Sequence, residues 1–158
     1  MPTPHLQAGE LEGKVFKNIA VAYDETPEAA RAFATAVQLA KTLGVGLQSI
    51  TVMEGLPSYT AFASATDPAL IATLEDDRTE FYKRMEAQAI AAAEREGVPL
   101  VTHIVGGEAA DAIIHFVCDC KVDLLVIGLH RRPSRLSSIW STVYAIAQNI
   151  PCSVLGVH

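Results

Sequence analysis

Apolar residues along this chain fall into short runs separated by longer stretches with a different period. Phe16–Tyr23 (FKNIAVAY), Leu47–Met53 (LQSITVM), Leu100–Val105 (LVTHIV), Asp123–Leu129 (DLLVIGL) and Ser153–Val157 (SVLGV) read as five strands. Ile19 and Val21 sit near the centre of an almost unbroken apolar run, the pattern of a strand buried on both faces. Between the runs, apolar residues recur every three or four positions, which is the helical period. Pro27–Leu43 carries Ala30, Phe33, Ala34, Val37 and Ala40 in that spacing. Thr26 and Pro27 supply a cap and a first-turn proline, and Gly44 a stop. Pro68–Glu96 carries one stripe of Leu70, Leu74, Phe81, Met85 and Ala89, closed by Gly97. Ala109–Cys120 follows a Gly106-Gly107 turn, with Ala112, Ile113, Phe116 and Val117 inward, and Ile139–Gln148 is closed by Pro151. Glu54–Asp67 and His130–Ser138 read as loops, the first rich in small and turn residues, the second polar.

Strands that alternate with helices build right-handed βαβ units and a parallel sheet covered on both sides. The expectation is therefore a single-domain α/β fold in three layers, α/β/α, around a five-stranded parallel sheet. Residues 1–14 read as a flexible N-terminal extension and 15–158 as the domain.

Composition narrows the class. Half of the 158 residues are hydrophobic and 19% are charged, which excludes a disordered chain. A formal net charge of -6 argues against a nucleic-acid partner. Three cysteines, Cys118, Cys120 and Cys152, are too few for a disulfide framework and suit a reducing, cytoplasmic setting. No run approaches the ~18 apolar residues of a membrane span, and Met1–Lys14 lacks the apolar centre of a signal peptide. The expectation is a soluble protein with no membrane partner.

In an open parallel sheet, ligands sit beyond the carboxyl ends of the strands, where the strand order reverses. Asp24, after the first strand, can cap the following helix or accept a hydrogen bond from a ligand amine. The loop after the fourth strand carries His130, Arg131, Arg132, Ser134 and Arg135, and leads into Ser137, Ser138, Ser141 and Thr142. Cations, hydroxyls and helix amides together form either an anion site or a solvated basic loop. Cys118 and Cys120, two apart on a helix, point to different faces and read as core thiols rather than metal ligands. His103 and His115 have no ligand spacing and read as packed or surface residues. Glu75, Asp76, Asp77 and Glu80, followed by Lys83 and Arg84, read as a solvated helix face. Ser58–Ala65, with Tyr59 and Phe62, is a lid, a partner-binding loop or a plain connection. No nucleophile elbow, Walker lysine loop or paired acid and base is present, so no enzyme is expected.

Five pieces in order, NIAVAYDET, ITVME, GGEAADAII, DLLVIG and NIPCSVLGV, resemble the universal stress protein family over Phe16 to His158. The resemblance implies the strand order 3-2-1-4-5, a homodimer joined through the C-terminal strand, and in many members ATP binding. That binding uses a glycine, two residues, a glycine, nine residues, then glycine and Ser or Thr. Gly128 matches the first glycine and Thr142 the final hydroxyl, while Arg131 and Ser141 replace the other two glycines. Asp24 matches the adenosine-side aspartate and Val52 the strand residue whose backbone meets adenine; Ala22 and Val143 complete the candidate nucleotide-binding set.

Arg131 brings a long side chain where a triphosphate would lie on bare backbone, and its Cβ disfavours a positive φ. The expectation is a non-catalytic stress-response protein with a degenerate nucleotide site, G-2x-R-9x-S-T. One alternative is an ATP-binding switch or slow ATPase using Arg131 and Arg132 on the phosphates; another is a protein-interaction module. No obligatory cofactor or metal is implied, and ATP or another adenine nucleotide is the candidate ligand. An apolar strand at the sheet edge gives the dimer a physical rationale, since pairing removes an open edge.

Overall fold

A computed structural model of the chain describes residues 16–53, 55, 66–129 and 138–158, with the backbone alone for 138–141. The expected extension at residues 1–14 and the 58–65 segment lie outside the described residues. The elements run β1 (Ile19–Ala22), α1 (Pro27–Leu43), β2 (Leu47–Met53), α2 (Pro68–Arg95), β3 (Leu100–Gly106), α3 (Ala109–Asp119), β4 (Leu124–Gly128), α4 (Ser138–Asn149) and β5 (Ser153–Val157). All five strands are parallel, in the order β3-β2-β1-β4-β5.

Alternation along the strands divides the interior into two cores. Ile19, Val21, Leu47, Leu124 and Val126 pack on Phe33 and Val37 of α1 and on Ala89 and Ala93 of α2. Ala20, Ile50, Leu125 and Ile127 pack on Ile113, Phe116 and Val117 of α3 and on Ile146 of α4. β1 is buried on both faces, as its apolar run predicts, and pairs Ile19 with Leu47 on one side and Leu124 on the other.

Helix termini follow from local chemistry. Thr26 caps α1 by accepting the Ala29 amide at 3.2 Å, and Gly44 ends the helix at φ 68, a left-handed geometry that costs glycine little. The Glu108 carboxylate caps α3 by accepting the Asp111 amide at 3.0 Å. Lys41 of α1 reaches Glu96, just past α2, at 2.9 Å. Hydrogen bonds from Lys41 and then Gln38 hold the Glu96 carboxyl below its ordinary range.

Four expectations shift. β1 is shorter than Phe16–Tyr23 because the Lys17 and Asn18 amides donate to the Asp123 carboxylate, at 2.8 and 3.0 Å, instead of entering the ladder. The buried face of α1 includes Ala29, Ala32 and Ala36, whereas Ala30 and Ala34 are exposed; a helix with alanine on every side does not reveal its inner face by spacing. On α2 only Met85, Ala89 and Ala93 are buried, while Leu70, Leu74 and Phe81 remain 49%, 40% and 39% exposed. On α3, Ala110 takes the inward place expected of Ala112. Among the described residues no helix is long and apolar enough to cross a membrane.

Candidate functional site

β1 leads through α1 to β2 on one side, whereas β3 leads through α3 to β4 on the other, so the chain order reverses between β1 and β4. Loops diverge at such a point and leave a hollow at the carboxyl edge. A cleft of about 380 Å³ lies there. Its apolar surface comes from every layer: Ala22 and Ile127 at the strand ends, Ile50 and Val52 on β2, Ile113 on α3, Val143 and Ile146 on α4. Its polar groups are those of the β1–α1 turn, Asp24, Glu25, Thr26 and Glu28, with Thr142 opposite. Tyr23 and Tyr82 add two aromatic rings.

The turn is built by its own side chains. Asp24 Oδ1 accepts from the Thr26 amide at 2.8 Å and from the Thr26 hydroxyl at 2.5 Å. Because Thr26 Oγ1 in turn accepts the Ala29 amide, Asp24 orients the cap of α1. Asp24 is therefore both a capping residue, as its place in a βα turn predicts, and a residue of the cleft. Tyr23 is fixed from three directions: its amide donates to the Ile50 carbonyl at 2.9 Å, its carbonyl accepts from Thr51 Oγ1 at 2.8 Å, and its ring leans on Phe33 at 5.0 Å. Burial first, and the Asp24 charge second, push the Tyr23 phenol above its ordinary pKa, so it stays neutral.

Gly128 has a packing reason of its own. A Cβ there would stand 2.6 Å from the Glu28 carbonyl carbon and 2.8 Å from the Ala29 nitrogen. The end of β4 thus touches the first turn of α1, and glycine is what lets the two meet. A second hollow of about 340 Å³ lies on the other side of the β1–α1 turn, sharing Tyr23, Asp24, Glu25 and Thr26 and closed by Phe81, Arg84, Met85 and Gln88 of α2.

Of the eight site residues expected from sequence, Ala22, Asp24, Val52, Gly128, Thr142 and Val143 all line the cleft. Arg131, with Arg132, lies outside the described residues, as does the side chain of Ser141. Sequence reasoning missed Ile113 and Tyr82. Ile113 had a signal, because it lies one turn into a helix that starts at the carboxyl edge of β3. Tyr82 had none, being one residue among the charges of α2.

The remaining candidates scatter. Cys120 and Cys152 are half-buried against the second core, but Cys118 is exposed on the outer face of α3 and is not a core thiol. His103 packs on Phe116 at 4.9 Å and lies 3.1 Å from Gln48 Oε1, and His115 is exposed. Among the described residues no three His, Cys, Asp or Glu side chains gather as they would around a metal ion. Chemically, the cleft offers apolar walls for a flat ring and carboxylate acceptors for hydroxyl or amine donors at its rim.

Comparison with known proteins agrees with this architecture. A Thermus aquaticus protein described as the universal stress protein in the QAH/OAS sulfhydrylase 3′ region is 32% identical over 146 residues, covering 91% of this chain and all (100%) of that one. The structure of universal stress protein UspA from Lactobacillus plantarum superposes with a TM-score of 0.72 at 22% identity, covering 90% of this chain and 98% of the other. The structure of the universal stress protein from Archaeoglobus fulgidus in complex with dAMP superposes with a TM-score of 0.61 at 19% identity, covering 92% and 100%. The sequence model of the universal stress protein family matches residues 16–158, and with the strand order and the Thermus relative this shows that the chain belongs to that family.

Proposed function

We propose that this chain is a non-catalytic, cytoplasmic universal stress protein whose cleft holds the base and ribose of an adenine nucleotide, with a weakened grip on a triphosphate. The observation that carries the reading is the composition of the cleft. Apolar side chains from β1, β2, α3 and α4 form its walls, and its described lining holds three carboxylates, Asp24, Glu25 and Glu28, and no lysine or arginine. Ribose hydroxyls and an amino group are donors and suit such a rim; three or four phosphate charges do not. A relative of the same fold was solved with dAMP, a nucleotide with a single phosphate. In the phosphate motif, Arg131 and Ser141 stand in place of two glycines.

Calorimetry with adenosine, AMP, cyclic AMP and ATP tests this. AMP binding more tightly than ATP is the expected result. ATP binding more tightly, with the advantage lost in Arg131→Ala, would replace this reading with the switch in which Arg131 and Arg132 hold phosphates. No binding by any of the four would remove the nucleotide from the proposal. Pairing of two copies through β5 belongs to the same reading and is supported by that strand's place at the sheet edge, with Val154 and Leu155 each 36% exposed.

A further inference from the structure

Tyr82 is the one residue of α2 that reaches the main cleft, and Phe81, its neighbour in sequence, walls the second hollow. Both hollows share Tyr23, Asp24, Glu25 and Thr26, so the two aromatic residues of α2 straddle the β1–α1 turn. Their rings meet edge to face at 5.5 Å with an interplanar angle of 77°, and the Arg78 guanidinium lies 5.9 Å from the centre of the Tyr82 ring. These contacts fix the Tyr82 ring in the stretch of α2 before Met85, where none of the described helix residues is buried. A half-buried ring held at a cleft mouth, with no role in either core, calls for another purpose. The other ring of the cleft, Tyr23, is already committed to Phe33 and the first core.

We infer that Tyr82 is a specificity-determining residue of the cleft, whose ring stacks on a planar heteroaromatic base and selects nucleosides over sugar phosphates that lack one. The inference rests on the nucleotide reading above and deepens it. Apart from Tyr23, whose ring is committed to Phe33, the apolar walls of the cleft are aliphatic and accept any apolar body of the right size; only an aromatic face prefers another π-system. Through Tyr82, α2 becomes part of a site otherwise built from the sheet ends and from α1, α3 and α4.

The test compares AMP with ribose 5-phosphate by calorimetry on the full chain and on Tyr82→Ala, Tyr82→Leu and Tyr82→Phe, each first checked for native helix content by circular dichroism. Wild type is expected to bind AMP well and ribose 5-phosphate poorly. Tyr82→Ala and Tyr82→Leu should lose roughly ten- to a hundredfold in AMP affinity, the usual worth of one base stacked on one aromatic ring. Tyr82→Phe should stay near wild type, because the π-face is kept. AMP affinity unchanged in Tyr82→Ala, or preserved in Tyr82→Leu, overturns the stacking role while leaving the nucleotide reading intact. Failure of wild type to bind AMP at all removes the nucleotide reading itself.

Discussion

Gly128, the last residue of β4, lies so close to Glu28 in the first turn of α1 that a methyl group on its Cα would stand 2.6 Å from the Glu28 carbonyl carbon. The atoms it would strike are backbone, so relief requires the helix to move rather than a side chain to turn. Gly128→Ala is expected to lower stability by about 1–3 kcal/mol, the usual cost of overpacking a filled site. Gly46→Ala is the control: a methyl there meets nothing nearer than 3.6 Å, and the change should stay within about 0.5 kcal/mol. Urea denaturation of the two variants decides it, and equal midpoints would show that the β4–α1 contact yields easily.

Asp24 holds Thr26 and lines the cleft, and these two roles separate by substitution. Asp24→Ala removes both hydrogen bonds to Thr26 and should cost about 1 kcal/mol of stability through the loosened cap of α1. Asp24→Asn keeps an oxygen acceptor at the same place, so its stability should stay close to wild type. If the carboxylate also receives ligand donors, Asp24→Asn weakens nucleotide binding nonetheless. Thermal denaturation beside calorimetry reads both effects, and an Asn variant that binds like wild type leaves Asp24 a capping residue alone.

The β5 edge gives a prediction about assembly. Val154 and Leu155 lie on a strand whose only sheet neighbour among the described residues is β4. A lysine on an edge strand opposes edge-to-edge pairing, because two copies would bring like charges together. Val154→Lys should shift the chain from dimer to monomer in sedimentation velocity, with little effect on the monomer's fold. A monomeric wild type, or a Val154→Lys variant that remains dimeric, would place any pairing elsewhere.

Much of this was legible in the sequence, for reasons that differ by element. α1, β2 and β5 have the bounds their signals predict, because Thr26, Pro27 and Gly44 act on neighbouring backbone and because β-rich runs end at turn residues. The start of β1 was not legible, since the competitor for its amides is Asp123, more than a hundred positions away. The exposed face of α2 was not legible either: spacing marks a stripe but does not say how far a sheet extends beneath it. At the site, the residues that converge are those fixed by strand ends, such as Ala22, Val52 and Gly128. Tyr82 escaped because a long helix crossing the edge of a sheet carries no local mark of where it crosses.

Thiol chemistry supplies a last prediction, with a sign set by burial. Cys152 is half-buried beside the second core, and desolvation, reinforced by the nearby Asp123 and Cys118, pushes its thiol above the ordinary range against a weaker opposing hydrogen bond from the Leu125 amide. The thiolate is the reacting species, so Cys152 should be alkylated slowly at mildly alkaline pH while the exposed Cys118 reacts first. A folded pKa above the unfolded one means that the protonated thiol favours the folded state. Its contribution is complete below the unfolded pKa and is lost as pH rises through the folded value. Peptide mapping after brief alkylation reads the order of modification, and Cys152→Ser should flatten the alkaline fall in stability. Cys152 labelled as fast as Cys118 in the native protein would show that its sulfur is open to solvent and that burial does not set its pKa.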